Sequence, residues 1–290
     1  MDKFKNVEIS DRAWVQEILK NCTCPSLEYN FTTLFIWDDI YKTKIREYKG
    51  NLLVKSGDKN SFLFPAGADV KAAVDFILDS CEGKVKFFGV GESGVEFLNK
   101  HYPSRFEFVE NRDMSDYIYL RESLAELKGK KLSSKRNHIN RFVENNPDWT
   151  FEKINDENIE LVKKMHNEGC ATMDMEEKTG LYEEGLAVKK AFEYYKELEL
   201  SGGLLKSGGR VIAFSIGDRL NEKCFLVHIE KAFHDIQGAY PMINKQFVIN
   251  CCGGYEFINR EEDAGNEGLR KAKLSYNPYN VLKKYNAMEK

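Results

Sequence analysis

No stretch of this chain comes near the eighteen or so consecutive apolar residues that a bilayer-spanning helix needs. The opening MDKFKNVEISDRAW also lacks the apolar run of a secretory signal. We therefore expect a cytoplasmic protein without a transmembrane segment. An excess of one charge is missing too, since 43 Lys and Arg face 46 Asp and Glu for a formal net charge of -3. That balance excludes a dedicated DNA-binding protein and still allows a local basic patch that contacts tRNA. Paired cysteine motifs are absent. Of Cys22, Cys24, Cys81, Cys170, Cys224, Cys251 and Cys252, only Cys22-Thr23-Cys24 approaches a ligand pair. A zinc site needs a second pair or spaced His, so no metal is expected and the cysteines read as free thiols, mostly small buried residues. A nucleophilic Cys needs a His and a charge-stabilising setting, and the sequence identifies no such partner.

What the chain does have is an ordinary globular make-up, with 42% hydrophobic and 31% charged residues over 290 positions. That length exceeds one typical domain and fits two of roughly 130 to 160 residues; we expect them at 1–125 and 126–290. Residues 11–20 place Trp14, Val15, Ile18 and Leu19 at helical spacing behind Ser10 or Asp11 as a cap. Beyond the apolar and aromatic stretch 29–40, the patterns predict strands at 44–48, 51–56 and 61–64, a helix at 70–81, a strand at 84–90, a helix at 91–102, and strands at 106–109 and 116–120. The second half repeats a similar order. A helix at 134–145 is stopped by Asn145-Asn146-Pro147, because the residue before proline resists the α region. A strand at 149–154, helices at 157–171 and 184–200, three antiparallel strands at 202–205, 210–220 and 223–230, a helix at 240–251 and a strand at 255–259 follow. The fold class is α+β (mixed α/β), each half a mixed, mainly antiparallel sheet flanked by helices.

Two segments stand out. Residues 259–278 read NREEDAGNEGLRKAKLSYNP, with four acidic and four basic residues between an apolar strand and a proline. Too polar for core and unlike a Gly/Ser linker, the segment reads either as a surface loop cross-linked by its own ion pairs or as a site for a polar, charged substrate. The second segment, KKLSSKRNHINRF at 130–142, belongs to a basic cluster of Lys128, Lys130, Lys131, Lys135, Arg136, His138 and Arg141. Helical spacing sets Lys131, Lys135 and His138 on one side, with Ile139 and Phe142 toward the core. Like charges one turn apart repel by about 0.2–0.5 kcal/mol per pair unless an anion relieves them. The cluster is thus either a solvated face or a binder of phosphate.

Together these two segments resemble the family related to the C-terminal catalytic domain of phosphatidylglycerol lysyltransferase, over nearly the whole chain. The resemblance implies two tandem GNAT-like domains, the architecture of Fem-type aminoacyl-tRNA-dependent transferases. In a GNAT-like fold the loop before the helix at 240–251 usually carries R/Q-x-x-G-x-G/A, whose amides hold the CoA pyrophosphate. Here that place reads KAFHDIQGAY at 231–240, so that Asp235 stands where Arg or Gln should be and Tyr240 where a small residue should be. Asp235 repels a pyrophosphate. The departure favours an aminoacyl-tRNA donor over acyl-CoA, and both stay open.

Acyl transfer needs a base near the acceptor amine or hydroxyl and donors for the tetrahedral oxyanion. Glu230, at the end of a strand where the resemblance puts the working part of the sheet, is the candidate base, and Tyr240 the second candidate catalytic residue. His228, Asn244, Asn259, Arg260, Glu261, Glu262, Asp263, Arg270, Lys271, Lys273 and Tyr276 are expected to bind substrate, the acidic ones facing an ammonium and the basic ones a carboxylate or phosphate. His228 shares a strand face with Glu230 by simple alternation, although a satisfied, half-buried structural histidine is the more ordinary reading than a catalyst. Lys131, Lys135, Arg136 and His138 are the expected phosphate ligands. The function expected is an acyl or aminoacyl transferase, possible donors being aminoacyl-tRNA or acyl-CoA and the acceptor a small polar molecule or lipid head group. The alternatives are an acyl-CoA-dependent GNAT-type enzyme, or a non-catalytic protein that captures an anionic or zwitterionic ligand.

Overall fold

The computed structural model describes the backbone at residues 4–171 and 178–290 and the side chains at 4–169 and 182–290. Among the described residues fifteen strands occur: β1 Lys5–Asn6, β2 Lys44–Tyr48, β3 Asn51–Lys55, β4 Ser61–Leu63, β5 Ala66–Gly67, β6 Lys86–Val90, β7 Phe106–Glu110, β8 Asp116–Leu120, β9 Thr150–Lys153, β10 Ser201–Ser207, β11 Arg210–Arg219, β12 Cys224–Ala232, β13 Phe257–Asn259, β14 Asn280–Leu282 and β15 Tyr285–Glu289. They form two antiparallel-rich sheets flanked by helices. The compact units are not linear halves of the chain. One comprises residues 1–117, 262–267 and 281–290, the other 118–261 and 268–280.

The first unit holds the sheet β1-β2-β3-β4-β6-β15-β7, with β5 paired to β3. Its helix Val70–Ser80 starts where the Asp69 carboxylate accepts the Ala72 amide at 3.0 Å, and it buries Ala73, Val74, Ile77 and Leu78 at helical spacing. These meet Leu53, Phe62, Phe87, Leu98, Phe106 and Ala287 in one core. Strand β15 returns from the far end of the chain to lie between β6 and β7. Just before β15, Lys284 is buried, with its ammonium 2.8 Å from Glu28 and 2.7 Å from Asp116. Burial works against the charge, and the two carboxylates more than offset it, so the ammonium is held well above its ordinary range.

In the second unit β9, β10, β11 and β12 run antiparallel in sequence, and β13 lies parallel to β12 and antiparallel to β8. Residues 211–218 of β11 are all buried, as a central strand between two neighbours requires. The helices Ile159–Ala171 and Ala239–Cys251 pack on this sheet, the latter burying Met242, Ile243, Phe247 and Val248. Strand, strand, helix, strand is the order that the resemblance implies, and the last strand, β13, pairs in parallel with β12. The structure departs from the sequence expectations at the 259–278 segment, which is not a loop alone. It forms the helix Glu267–Leu274, and Asn259, Asp263, Lys273 and Tyr276 are buried.

Candidate functional site

The site begins where two parallel strands part. Cys224 to Leu226 of β12 pair with Phe257 to Asn259 of β13; there β13 ends, while β12 runs on to Ala232. In the same region β12 carries a bulge. Gly217 pairs with Val227 and Ile216 with Ile229, leaving His228 without a partner across the ladder. Gly217 permits this local crowding, since a Cβ there would stand 2.1 Å from the Leu226 carbonyl.

Glu230 and Arg260 bridge the parting. Arg260 Nη2 donates to Glu230 Oε1 at 2.7 Å, and Asn244 Nδ2, from the helix Ala239–Cys251, donates to Oε2 at 2.9 Å. The pair is sheltered, with side-chain exposures of 12% for Glu230 and 11% for Arg260. The guanidinium lies 4.7 Å from the Tyr276 ring and 5.6 Å from that of Tyr119, a favourable setting for a planar cation. The Lys135 ammonium stands 4.1 Å over the Tyr276 ring. Backbone is fixed as well: Lys273 Nζ donates to the Arg260 carbonyl at 2.6 Å, and the Tyr119 hydroxyl to the Lys273 carbonyl at 2.7 Å. Two buried atoms of this cluster, Arg260 Nη1 and Asn244 Oδ1, have no hydrogen-bond partner among the described residues. One is a donor and the other an acceptor. Buried polar atoms are rarely left so, and a ligand offering an oxygen and an N–H would satisfy both.

Charge in the cluster follows from burial and neighbours. Burial opposes the Arg260 charge, but the Glu230 carboxylate outweighs it and keeps the guanidinium firmly protonated. Lys135 is pulled below its ordinary range by burial first and by Arg260 second. The hydroxyls of Tyr276 and Tyr240 are raised, chiefly by burial.

The structure sorts the residues expected from sequence. It brings together Glu230, Asn244, Arg260, Tyr276 and Lys135, with Tyr240 close enough to feel the Glu230 charge. His228 is engaged with Glu261 through one ring nitrogen and with Asp218 through the other instead, and the bulge, not simple alternation, sets the direction of His228. Asn259 is buried and turns inward to accept the Glu261 amide at 2.7 Å. Glu262 and Asp263 belong to the first unit, where Asp263 takes the Tyr117 hydroxyl at 2.5 Å and Arg112 at 3.4 Å. Arg270 and Lys271 lie on the helix Glu267–Leu274, half-buried and exposed respectively. Lys273 points at a carbonyl rather than a ligand.

The expected phosphate ligands divide likewise. Arg136 is occupied by the carbonyls of Leu127 and Gly129 at 2.5 and 2.7 Å, so it closes the end of the helix Arg121–Glu126. Lys131 precedes the helix Ser133–Asn145 and donates to Asn277 at 3.3 Å, which removes it from the expected i, i+4, i+7 row. His138 is exposed. Two residues of the arrangement escaped the sequence reading. Tyr119 looked like any apolar strand residue, and Asp218 like an outward polar position on β11.

The loop 231–240 is also explained in physical terms. Gly238 has φ +84°, and a Cβ on it would lie 2.2 Å from the His138 carbonyl. Its missing side chain accommodates the neighbouring helix. Asp235 is exposed nearby. Among the described residues no group of three or more His, Cys, Asp or Glu is placed to hold a metal ion, and no helix is long and apolar enough to cross a membrane. Six cysteines are free thiols; the side chain of Cys170 lies outside the described residues.

Comparison with known proteins follows the same lines. A crystal structure of a conserved protein of unknown function from Bacteroides thetaiotaomicron VPI-5482 is similar over 100% of both chains, with a TM-score of 0.93 and 36% identity. A crystal structure from Agrobacterium fabrum, described as the C-terminal domain of a putative lysylphosphatidylglycerol synthetase, shares the fold with a TM-score of 0.67 at 14% identity, over 97% of this chain and 92% of that one. An uncharacterized protein of Mycoplasmoides gallisepticum is 25% identical over 184 residues, which span 61% of this chain and 57% of that protein. The profile of the phosphatidylglycerol lysyltransferase C-terminal family matches residues 25–288, and this chain belongs to that family.

Proposed function

We propose that the protein is an acyl or aminoacyl transferase whose site is the cluster of Glu230, Asn244, Arg260, Tyr276 and Lys135, and whose donor is an aminoacyl-tRNA. The observation that carries this reading is the buried pair of open valences, Arg260 Nη1 and Asn244 Oδ1, at the parting of β12 and β13. An aminoacyl ester offers a carbonyl oxygen to the first and an ammonium to the second. In the transfer, the acceptor amine or hydroxyl attacks the ester carbonyl, and the new N–C or O–C bond forms as the ester C–O bond breaks. Arg260 stabilises the oxyanion, a contribution of roughly 3 kcal/mol for one well-placed donor. Glu230 takes the acceptor proton on a lone pair that Arg260 and Asn244 leave open, and returns it to the departing ribose oxygen.

Acyl-CoA is the competing donor. Against it stand Asp235 and the closed environment of Gly238, neither of which suits a pyrophosphate. The test is direct: purified protein is incubated separately with charged tRNAs and with acyl-CoAs, plus candidate amine and hydroxyl acceptors, and product masses are read. Aminoacylated product formed only from tRNA supports the reading. Acylated product formed only from CoA replaces it, and no product from either leaves the non-catalytic ligand-binding alternative in its place.

A further inference from the structure

We propose that His228 is a positioning residue, a buried imidazolium that fixes Glu261 and thereby aims the adjoining Arg260 guanidinium into the site. The proposal rests on the reading of Arg260 as the ligand-facing donor. It starts from the bulge, which takes His228 out of the β11–β12 ladder. Its Nε2 lies 3.0 Å from Asp218 Oδ1 and its Nδ1 3.1 Å from Glu261 Oε1. Ionised carboxylates only accept hydrogen bonds, so each ring nitrogen must donate, and a ring with two N–H groups is charged. The side chain is 1% exposed, which keeps water from competing for either bond.

Glu261 needs such an anchor. Its φ of +56° is left-handed, a conformation unfavourable for a non-glycine residue that persists only where neighbours enforce it. The carboxylate on His228 and the amide on Asn259 Oδ1 are those restraints. The residue immediately before is Arg260, so the geometry of Glu261 decides where the guanidinium points as the chain leaves β13.

Beyond the last paired residues, β12 therefore holds the departing chain by two ion pairs of opposite polarity, His228 with Glu261 and Glu230 with Arg260. The reversal specifies register. A slip of one residue in one direction would set Arg260 against His228, and in the other direction Glu261 against Glu230, like charge on like charge in a buried place either way. The carboxylates that face the ring come from β11, as Asp218, and from the chain after β13, as Glu261.

The test uses nitrogen-15 NMR on the whole protein and needs no turnover, so it stands apart from the donor assay. In the wild type both His228 ring nitrogens are expected to read as protonated from pH 6 to 8, and the Arg260 Nε–H signal, identified by its loss in R260K, to be slow in exchange. E261Q and H228Q should shift that signal and speed its exchange at least tenfold. E261G, which suits the left-handed backbone but removes the carboxylate, should do the same, placing the effect on charge rather than on backbone. Should a variant fail to fold, raising the pH on the wild type until His228 loses its proton must move the Arg260 signal with the same midpoint. A neutral His228 ring at pH 7.5, or an Arg260 signal indifferent to E261Q, E261G and His228 deprotonation, overturns the proposal. If these results hold and no transferase product is found, His228 still positions Arg260, and only the donor reading fails.

Discussion

Arg260 and Glu230 meet at 2.7 Å beyond the last paired residues of β12 and β13, where β13 has ended and β12 has not. The pair is both a structural tie and the centre of the proposed site, and the two roles are separable by mutation.

Removing one partner of a sheltered ion pair leaves the other charge uncompensated, at about 3–5 kcal/mol, whereas replacing both with apolar residues of similar volume is often near neutral. E230M and R260M should each lower the denaturation midpoint strongly. The double variant E230M/R260M should recover most of that loss while its turnover stays down by about 100-fold or more. A double variant that loses in urea the sum of the two single losses would show that the pair does not couple.

A second expectation concerns Gly238. With φ +84° and the His138 carbonyl 2.2 Å from where a Cβ would sit, G238A must move backbone, at a cost of at least about 2 kcal/mol. Were Gly238 instead the open glycine of a pyrophosphate loop, the same change would spare stability and abolish CoA affinity. Thermal unfolding alongside CoA titration distinguishes the two.

Much of this was legible in the chain, and the limits have physical causes. The apolar runs and turns that delimit β11 and β12 and the helical pattern at Val70–Ser80 are local signals, and local signals survive in sequence. The ion-rich segment 259–278 announced itself by density, but its polarity suggested exposure, and exposure was wrong for Asp263 and Lys273. Asp263 is buried because a tyrosine 146 positions earlier supplies its partner, and no pattern of neighbours records that. Arg136 misled for the converse reason: its targets are carbonyls, which every residue carries. The return of β15 to the first sheet likewise left no local trace, so the linear division of the chain into halves could not anticipate it.

His228 makes stability depend on pH. Burial alone would lower its ordinary value of 6.5, but Asp218 and Glu261 raise it to about 9. A group whose value rises on folding stabilises fully below the unfolded value, and its contribution is lost as pH climbs through the folded one. The window is thus pH 6.5 to 9, and the contribution at its lower end is about 3 kcal/mol. Urea midpoints of wild type and H228Q should differ most at pH 6 and converge toward pH 9. Parallel curves across that window would mean that the ring does not titrate as the two carboxylates require.

The donor assignment yields the last expectation. Of the basic residues before and along the helix Ser133–Asn145, Arg136 is engaged with carbonyls and Lys135 is turned onto Tyr276, which leaves Lys128, Lys130, Lys131, His138 and Arg141 exposed and able to meet a polyanion. A tRNA engages several cations at once and releases a counterion for each, so its affinity should fall about tenfold or more between low and physiological salt. Charge reversal at Lys131 and Arg141 should weaken binding and reduce the salt slope by roughly one for each phosphate left unneutralised. Neither change touches Glu230 or Arg260, so turnover at saturating donor should persist. Acyl-CoA, with few phosphates, would give a shallow slope indifferent to both substitutions. Fluorescence anisotropy of labelled tRNA against salt, repeated with CoA as competitor, decides the matter. A protein that binds CoA at micromolar concentration without salt dependence, and no tRNA under any condition, is an acyl-CoA enzyme despite Asp235.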